Sequence, residues 1–181
     1  MGFLSSLFSK SSTENNTKKH NDGLDWPDTS KWITVEADDL MRGLRLQIPP
    51  KMEYYISSEG GMVTLKLHEN ASTTINREGG YNDFDIAEQR EWVMDPDNRE
   101  DLVWVIDEGN LAYFTCTDIS ANTANQFSHN CFAETHLRGM RFFMSVDGIC
   151  FDMDNKAYNL SQRECLTFLS IFKSMTVSNI K

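Results

Sequence analysis

The sequence predicts an α+β fold: an antiparallel β-sheet with a C-terminal amphipathic helix packed on one face. Three observations carry that expectation. Several short segments alternate apolar and polar residues with period two. Two pairs of β-rich runs flank short glycine-containing turns, as hairpins do. A capped, helically periodic apolar run lies close to residue 181.

Residues 11 to 29 are mostly small and polar, with Leu24 and Trp26 the apolar exceptions. This composition predicts a flexible N-terminal arm over 1–29 and a single α+β domain over 30–181. Trp32-Ile-Thr-Val35 opens the domain as a strand. Gly43-Leu-Arg-Leu-Gln-Ile48 alternates cleanly and stops at Pro49-Pro50. Met52 to Ile56 and Met62 to Leu67 follow, separated by Gly60-Gly61, and together these segments suggest an antiparallel meander. Residues 70 to 82 hold Ser, Thr, Asn and Gly79-Gly80, which reads as loop. Asp83 to Met94 reads as a short helix with Phe84, Ala87 and Glu91 on one face. Pro96 ends it, because the residue before a proline is pushed out of helical space.

Leu102 to Ile106 and Leu111 to Cys116 predict one hairpin about Asp107-Glu-Gly-Asn110. Cys131 to Leu137 and Met140 to Val146 predict a second, about Arg138-Gly139. Ile149-Cys-Phe151 then continues as a short strand. Ser161 and Glu164 have the spacing of a capping box, in which each side chain satisfies a free N–H at a helix start. Cys165, Leu166, Phe168, Leu169, Phe172 and Met175 recur at helical spacing behind it, and Lys173 suits the negative end of the helix dipole.

The chain carries 17 Lys and Arg against 27 Asp and Glu, a formal net charge of −10. That balance disfavours nucleic acid, whose binding rests on cations neutralising phosphates, and it disfavours an anionic membrane surface. It favours a basic protein partner, whose encounter complementary fields accelerate. Acidity also serves plain solubility. Cys116, Cys131, Cys150 and Cys165 sit in apolar company without a C-x-x-C pair, so reduced core residues in the cytoplasm are expected. The N-terminal stretch Met1 to Lys10 lacks the charge and length pattern of a secretory signal. Gly2 and Ser6 fit the short myristoylation pattern, but that pattern recurs by chance, and a short amphipathic segment is the expectation.

No catalytic signature is present: no nucleophile elbow, P-loop, dinucleotide fingerprint or zinc-protease motif. His129, Cys131, Glu134 and His136 are metal-ligand types, yet on a strand His129 and Cys131 face away from Glu134 and His136. No metal site and no cofactor is therefore expected. Asp95, Asp97 and Asp101, like Asp152 and Asp154, read as solvated turns, since neither run has the glycine and terminal Glu of a calcium loop.

Acidity concentrates between Glu78 and Asp101. Glu78, Asp83, Asp85, Glu88, Glu91, Asp95, Asp97, Glu100 and Asp101 face only Arg90 and Arg99 there. Tyr81, Phe84 and Trp92 lie among them. Aromatics anchor and carboxylates steer, so the partner-binding residues expected are Tyr81, Asp83, Phe84, Asp85, Glu88, Glu91, Trp92, Asp95 and Asp97. The same residues also fit a solvated face over ordinary core aromatics.

The C-terminal third, Met140-Arg-Phe-Phe-Met-Ser-Val-Asp-Gly-Ile-Cys-Phe through the helix to Ser174-Met175, resembles the close of PsbP/DcrB-type domains. Gly43-Leu-Arg-Leu-Gln-Ile-Pro49 resembles their early strand. The resemblance covers about a third of the chain and implies a sheet with helices packed on it and a non-enzymatic binding or chaperone role. It assigns no functional residue. The function expected is a non-enzymatic, acidic protein-binding domain, such as a bacterial immunity protein neutralising a toxin or a chaperone for a secreted effector. The alternative is an enzyme, or a ligand- or metal-binding domain, whose site gathers His68, His129, His136 and carboxylates from separate segments.

Overall fold

Alternation of buried and exposed residues builds most of the strands. In the computed structural model, which describes residues 23–80, 85–95, 97, 99–119, 126–151 and 156–178, two strands open the domain. These are β1 (Ile33–Glu36) and β2 (Leu44–Ile48). Leu44, Leu46 and Ile48 point inward and are fully buried, while Arg45 and Gln47 face out. Pro49-Pro50 then takes the chain out of this small sheet. The expected meander is split there: β3 (Glu53–Ser57) pairs not with β2 but with β4 (Met62–His68) in a second, larger sheet.

Residues 70–82 are not a loop throughout. β5 (Ala71–Arg77) is an interior strand of the large sheet, between β4 and β9. The Ser and Thr content that reads as loop is β-branched in part, and Ala71, Thr73 and Ile75 point into the core. The real turn is Gly79-Gly80, which packs on Gly60-Gly61. A Cβ on Gly80 would sit 2.6 Å from the Gly60 carbonyl oxygen, so only glycine fits.

Helix α1 (Ile86–Met94) follows, then β6 (Arg99–Asp107), β7 (Leu111–Asp118), β8 (Gln126–Leu137) and β9 (Met140–Val146). Both expected hairpins form. Arg138 and Gly139 have φ of 51° and 79°, the paired positive values of a tight two-residue hairpin turn. β10 (Ile149–Phe151) pairs with β11 (Ala157–Asn159), a strand too short for the sequence to announce. α2 (Gln162–Lys173) and β12 (Thr176–Val177) complete the order. The large sheet runs β3-β4-β5-β9-β8-β7-β6, all antiparallel, and the small one β1-β2-β12.

Two cores flank the large sheet. On one face α2 buries Cys165, Leu166, Phe168, Leu169, Ile171 and Phe172 and touches both β8 and β2. Ile75, Cys131, Ala133, Phe142 and Met144 meet it from the sheet. Its capping box is formed as the sequence predicts. On the other face a smaller cluster of Val93, Ala112, Phe114, Cys116 and Phe132 lies with α1, Leu102 and Trp104. β7 is thus buried on both sides, with Tyr113 in one core and Phe114 in the other.

Of the segment read as an arm, residues 1–22 lie outside the described part. Residues 23–29 lie along α2. Leu24 and Trp26 pack on the main core, and Lys173 stands 5.1 Å above the Trp26 ring. The Asp25 backbone N–H donates to Gln162 Oε1 at 2.9 Å, and Arg163 pairs with the Asp25 carboxylate at 3.0 Å.

Candidate binding surface

Asp85 caps α1: its carboxylate accepts the Ala87 N–H at 2.6 Å, which satisfies one of the donors a helix start leaves free. From there 3.6-residue periodicity sorts the helix into two faces. Ile86, Gln89, Arg90 and Val93 turn inward, with Val93 fully buried. Glu88, Glu91, Trp92 and Asp95 turn outward and are all exposed. Ala87 and Glu91, which the sequence places on one face, both face solvent, whereas Val93, on the other side of the helix, is the buried contact. Tyr81, Asp83 and Phe84 lie outside the described residues.

Both arginines of the acidic stretch point inward. Arg90 donates to Asp107 Oδ1 at 2.6 Å and to the Gly109 carbonyl at 2.9 Å, and its guanidinium lies 5.1 Å from the centroids of both Trp104 and Phe132. Arg99 is buried, faces Asp118 at 3.7 Å and stacks 4.3 Å from the Trp92 ring centroid. Among the described residues no cation lies within 4.0 Å of Glu88, Glu91, Asp95, Asp97, Glu100 or Asp101. The outward surface of α1 and the adjoining β6 is therefore acidic without internal compensation. Trp92 is 46% exposed, and Met94 and Val103, at 62% and 55%, add apolar area beside it. Sequence reasoning missed Met94 and Val103. Val103 would be inward by simple alternation, but the β6–β7 register breaks between Glu100 and Val103. Asp95 and Asp97 form a turn, the Asp97 N–H donating to the Asp95 carboxylate at 2.9 Å.

Beneath this surface the sheet carries a buried polar group. Asn130 donates to Ser128 Oγ at 2.8 Å and to Cys116 Sγ at 3.4 Å, and its Oδ1 accepts the Gly148 N–H at 2.8 Å. Burial pushes the Cys116 thiol up, which favours its neutral form.

The described histidines do not converge. β8 is continuous through His129, Cys131, Glu134 and His136, which places the first two on the α2 face and the last two on the other. His129 Nδ1 and the Tyr113 hydroxyl are 2.7 Å apart. Burial drives the His129 imidazole toward its neutral form and pushes the Tyr113 phenol up to about 12. His136 is exposed, 3.9 Å from Glu134. Among the described residues no three His, Cys, Asp or Glu side chains gather as a metal site would need.

Among the described histidines His68 borders a cleft, an open depression of about 620 Å³ lined also by Lys51, Glu53, Lys66 and Tyr158. His68 Nε2 meets Glu164 Oε1 at 2.6 Å, and the Tyr158 hydroxyl donates to the same oxygen at 2.9 Å. Oε2 accepts the Ser161 N–H and the Ser161 hydroxyl, each at 2.7 Å. Burial raises the Glu164 carboxyl, but the hydrogen bonds from Ser161, His68 and Tyr158 outweigh it and bring it down to about 2. His68 Nδ1 accepts the Asn70 N–H at 3.3 Å, so both ring nitrogens are engaged. Every lone-pair direction of the carboxylate is taken. The cluster ties α2 to β4 and β11. The sequence announced the Ser161–Glu164 half of it and offered His68 as a site residue, but not its pairing with Glu164, which lies 96 residues away.

No protein-family model, no curated protein and no solved structure matches this chain.

Proposed function

We propose that the domain is a non-enzymatic binder of a basic protein, and that the outward face of α1 with the adjoining β6 is its contact surface. One observation carries the reading: the described acidic side chains of this stretch face solvent while both of its arginines are consumed beneath them. A surface of that kind speeds encounter with a cationic partner, and Trp92 and Met94 offer the apolar contact that gives such an encounter a lifetime. An immunity protein that neutralises a toxin, or a chaperone for a secreted effector, fits this design. A binding role is also what kinship to PsbP/DcrB-type domains would imply. The proposal includes a reducing, cytoplasmic setting, supported by four cysteines that are all unpaired.

Against the enzymatic alternative stand the separated histidines and the saturated Glu164 carboxylate. The test is co-expression with the product of the adjacent gene. Wild type is expected to co-purify with it in a stoichiometric, salt-sensitive complex, and the E88K/E91K variant to lose that complex. Formation of an equally tight complex by the variant would contradict the proposal.

A further inference from the structure

The two ends of the large sheet are built differently. β6 closes one end with two register breaks and with Asp101 at φ 51°, and it carries Glu100, Asp101 and Asp107. Bulges and charges of this kind keep an edge strand from pairing with another chain. β3 closes the other end. All five of its residues, Glu53–Ser57, pair with β4 in unbroken register, and among the described residues no strand covers its outer side. It has neither bulge nor proline within it. Tyr54 is 47% exposed and Tyr55 65%.

We propose that β3 pairs with β3 of a second copy of this chain, antiparallel about a two-fold axis at Tyr55, to make a homodimer with one continuous sheet. The strand is self-complementary in that register. Tyr54 falls opposite Ile56 of the second copy, Glu53 opposite Ser57, and Tyr55 opposite itself. Tyr54 and Ile56 share the sheet face of the main core, because they pair with Leu65 and Val63, so the apolar layer continues across the seam. Tyr55 stacks on its own copy on the opposite face. Lys51 and Glu59 lie in the turns that flank the strand, so this register brings Lys51 of one copy to the same end of the seam as Glu59 of the other. Both are exposed, and among the described residues neither has an ion-pair partner. A two-fold axis uses that pair twice, so opposite charges lie at both ends of the seam. The contact is small, which puts it in the weak, reversible class of interfaces.

Sedimentation velocity on the full chain, from about 1 to about 200 μM, spans the range a weak dimer occupies. A concentration-dependent shift from monomer to dimer is expected. A monomer at every concentration overturns the proposal, and is also what an edge covered by this chain's own N-terminal residues would give. K51E and E59K should each weaken the dimer about fivefold to tenfold. The double variant K51E/E59K should restore it, because the charges are then exchanged and not opposed. A dimer indifferent to all three variants lies elsewhere and also overturns it. Y55C, in a C150S background, should cross-link to its own copy under mild oxidation, and E53C should not. Cross-linking at neither position counts against the register. E88K/E91K should dimerise like wild type, which separates failure of this inference from failure of the proposed partner surface.

Discussion

The two helices use their sequence in opposite ways. α2 buries most of one side, is capped reciprocally at its start and carries Lys173 in its last turn. α1 buries Val93 alone, has no basic residue in its last turn and turns its carboxylates to solvent. One helix holds the molecule together; the other presents a surface. Substitutions in α2 should therefore cost stability and leave surface recognition intact, while outward substitutions in α1 should do the reverse.

The largest expected effect is at Phe168, fully buried between the sheets. Phe168→Ala should destabilise by about 3–5 kcal/mol, from lost burial and the cavity left behind, read by denaturant unfolding. Val93→Ala, the equivalent cut in α1, should cost only about 1–2 kcal/mol, since the lost group is smaller and its cluster is minor. A V93A cost as large as that of F168A would break the contrast between the helices.

Glu164 gives a comparable effect with a pH signature. Its carboxyl is depressed to about 2 in the folded chain, so its stabilisation is present above the unfolded value near 4.5 and is lost as pH falls from there toward 2. After discounting for solvent screening, the loss is about 1–2 kcal/mol. Glu164→Gln should remove that portion of the acid sensitivity, measured as unfolding free energy against pH between 5 and 2. A variant whose acid profile still matches wild type would show that the carboxylate's hydrogen bonds do not hold the charged form.

The smallest stability effect belongs to the outward face of α1. Glu88→Lys with Glu91→Lys should change unfolding free energy by less than about 1 kcal/mol, because both side chains are exposed and unpaired and only Glu88, in the first turn, interacts with the helix dipole.

How much of this was legible depended on the range of the interactions. The hairpin turn at Arg138-Gly139 and the capping box at Ser161 and Glu164 are local, and the sequence displays both. β5 was hidden because Ser72, Thr73, Thr74 and Asn76 have loop chemistry, and only burial by neighbouring strands makes Thr73 and Ile75 core residues. Which side of α1 would be buried was not legible, because the sheet beneath takes Val93 and the stems of Arg90 and Arg99, and a charged residue gives no sequence sign of lying inward. The acidic patch was visible as composition. That its arginines turn inward was not, because their partners Asp107 and Asp118 lie outside the stretch, at the far end of β6 and on β7. The joining of His68 to Glu164 depends on two segments far apart in the chain, and no spacing rule reaches that distance.

The most direct test of the central claim measures the melting temperature of E88K/E91K beside its affinity for the adjacent-gene product. The account predicts a melting temperature within about 2–4 °C of wild type and an affinity at least about tenfold weaker. Unchanged affinity at unchanged stability would contradict it.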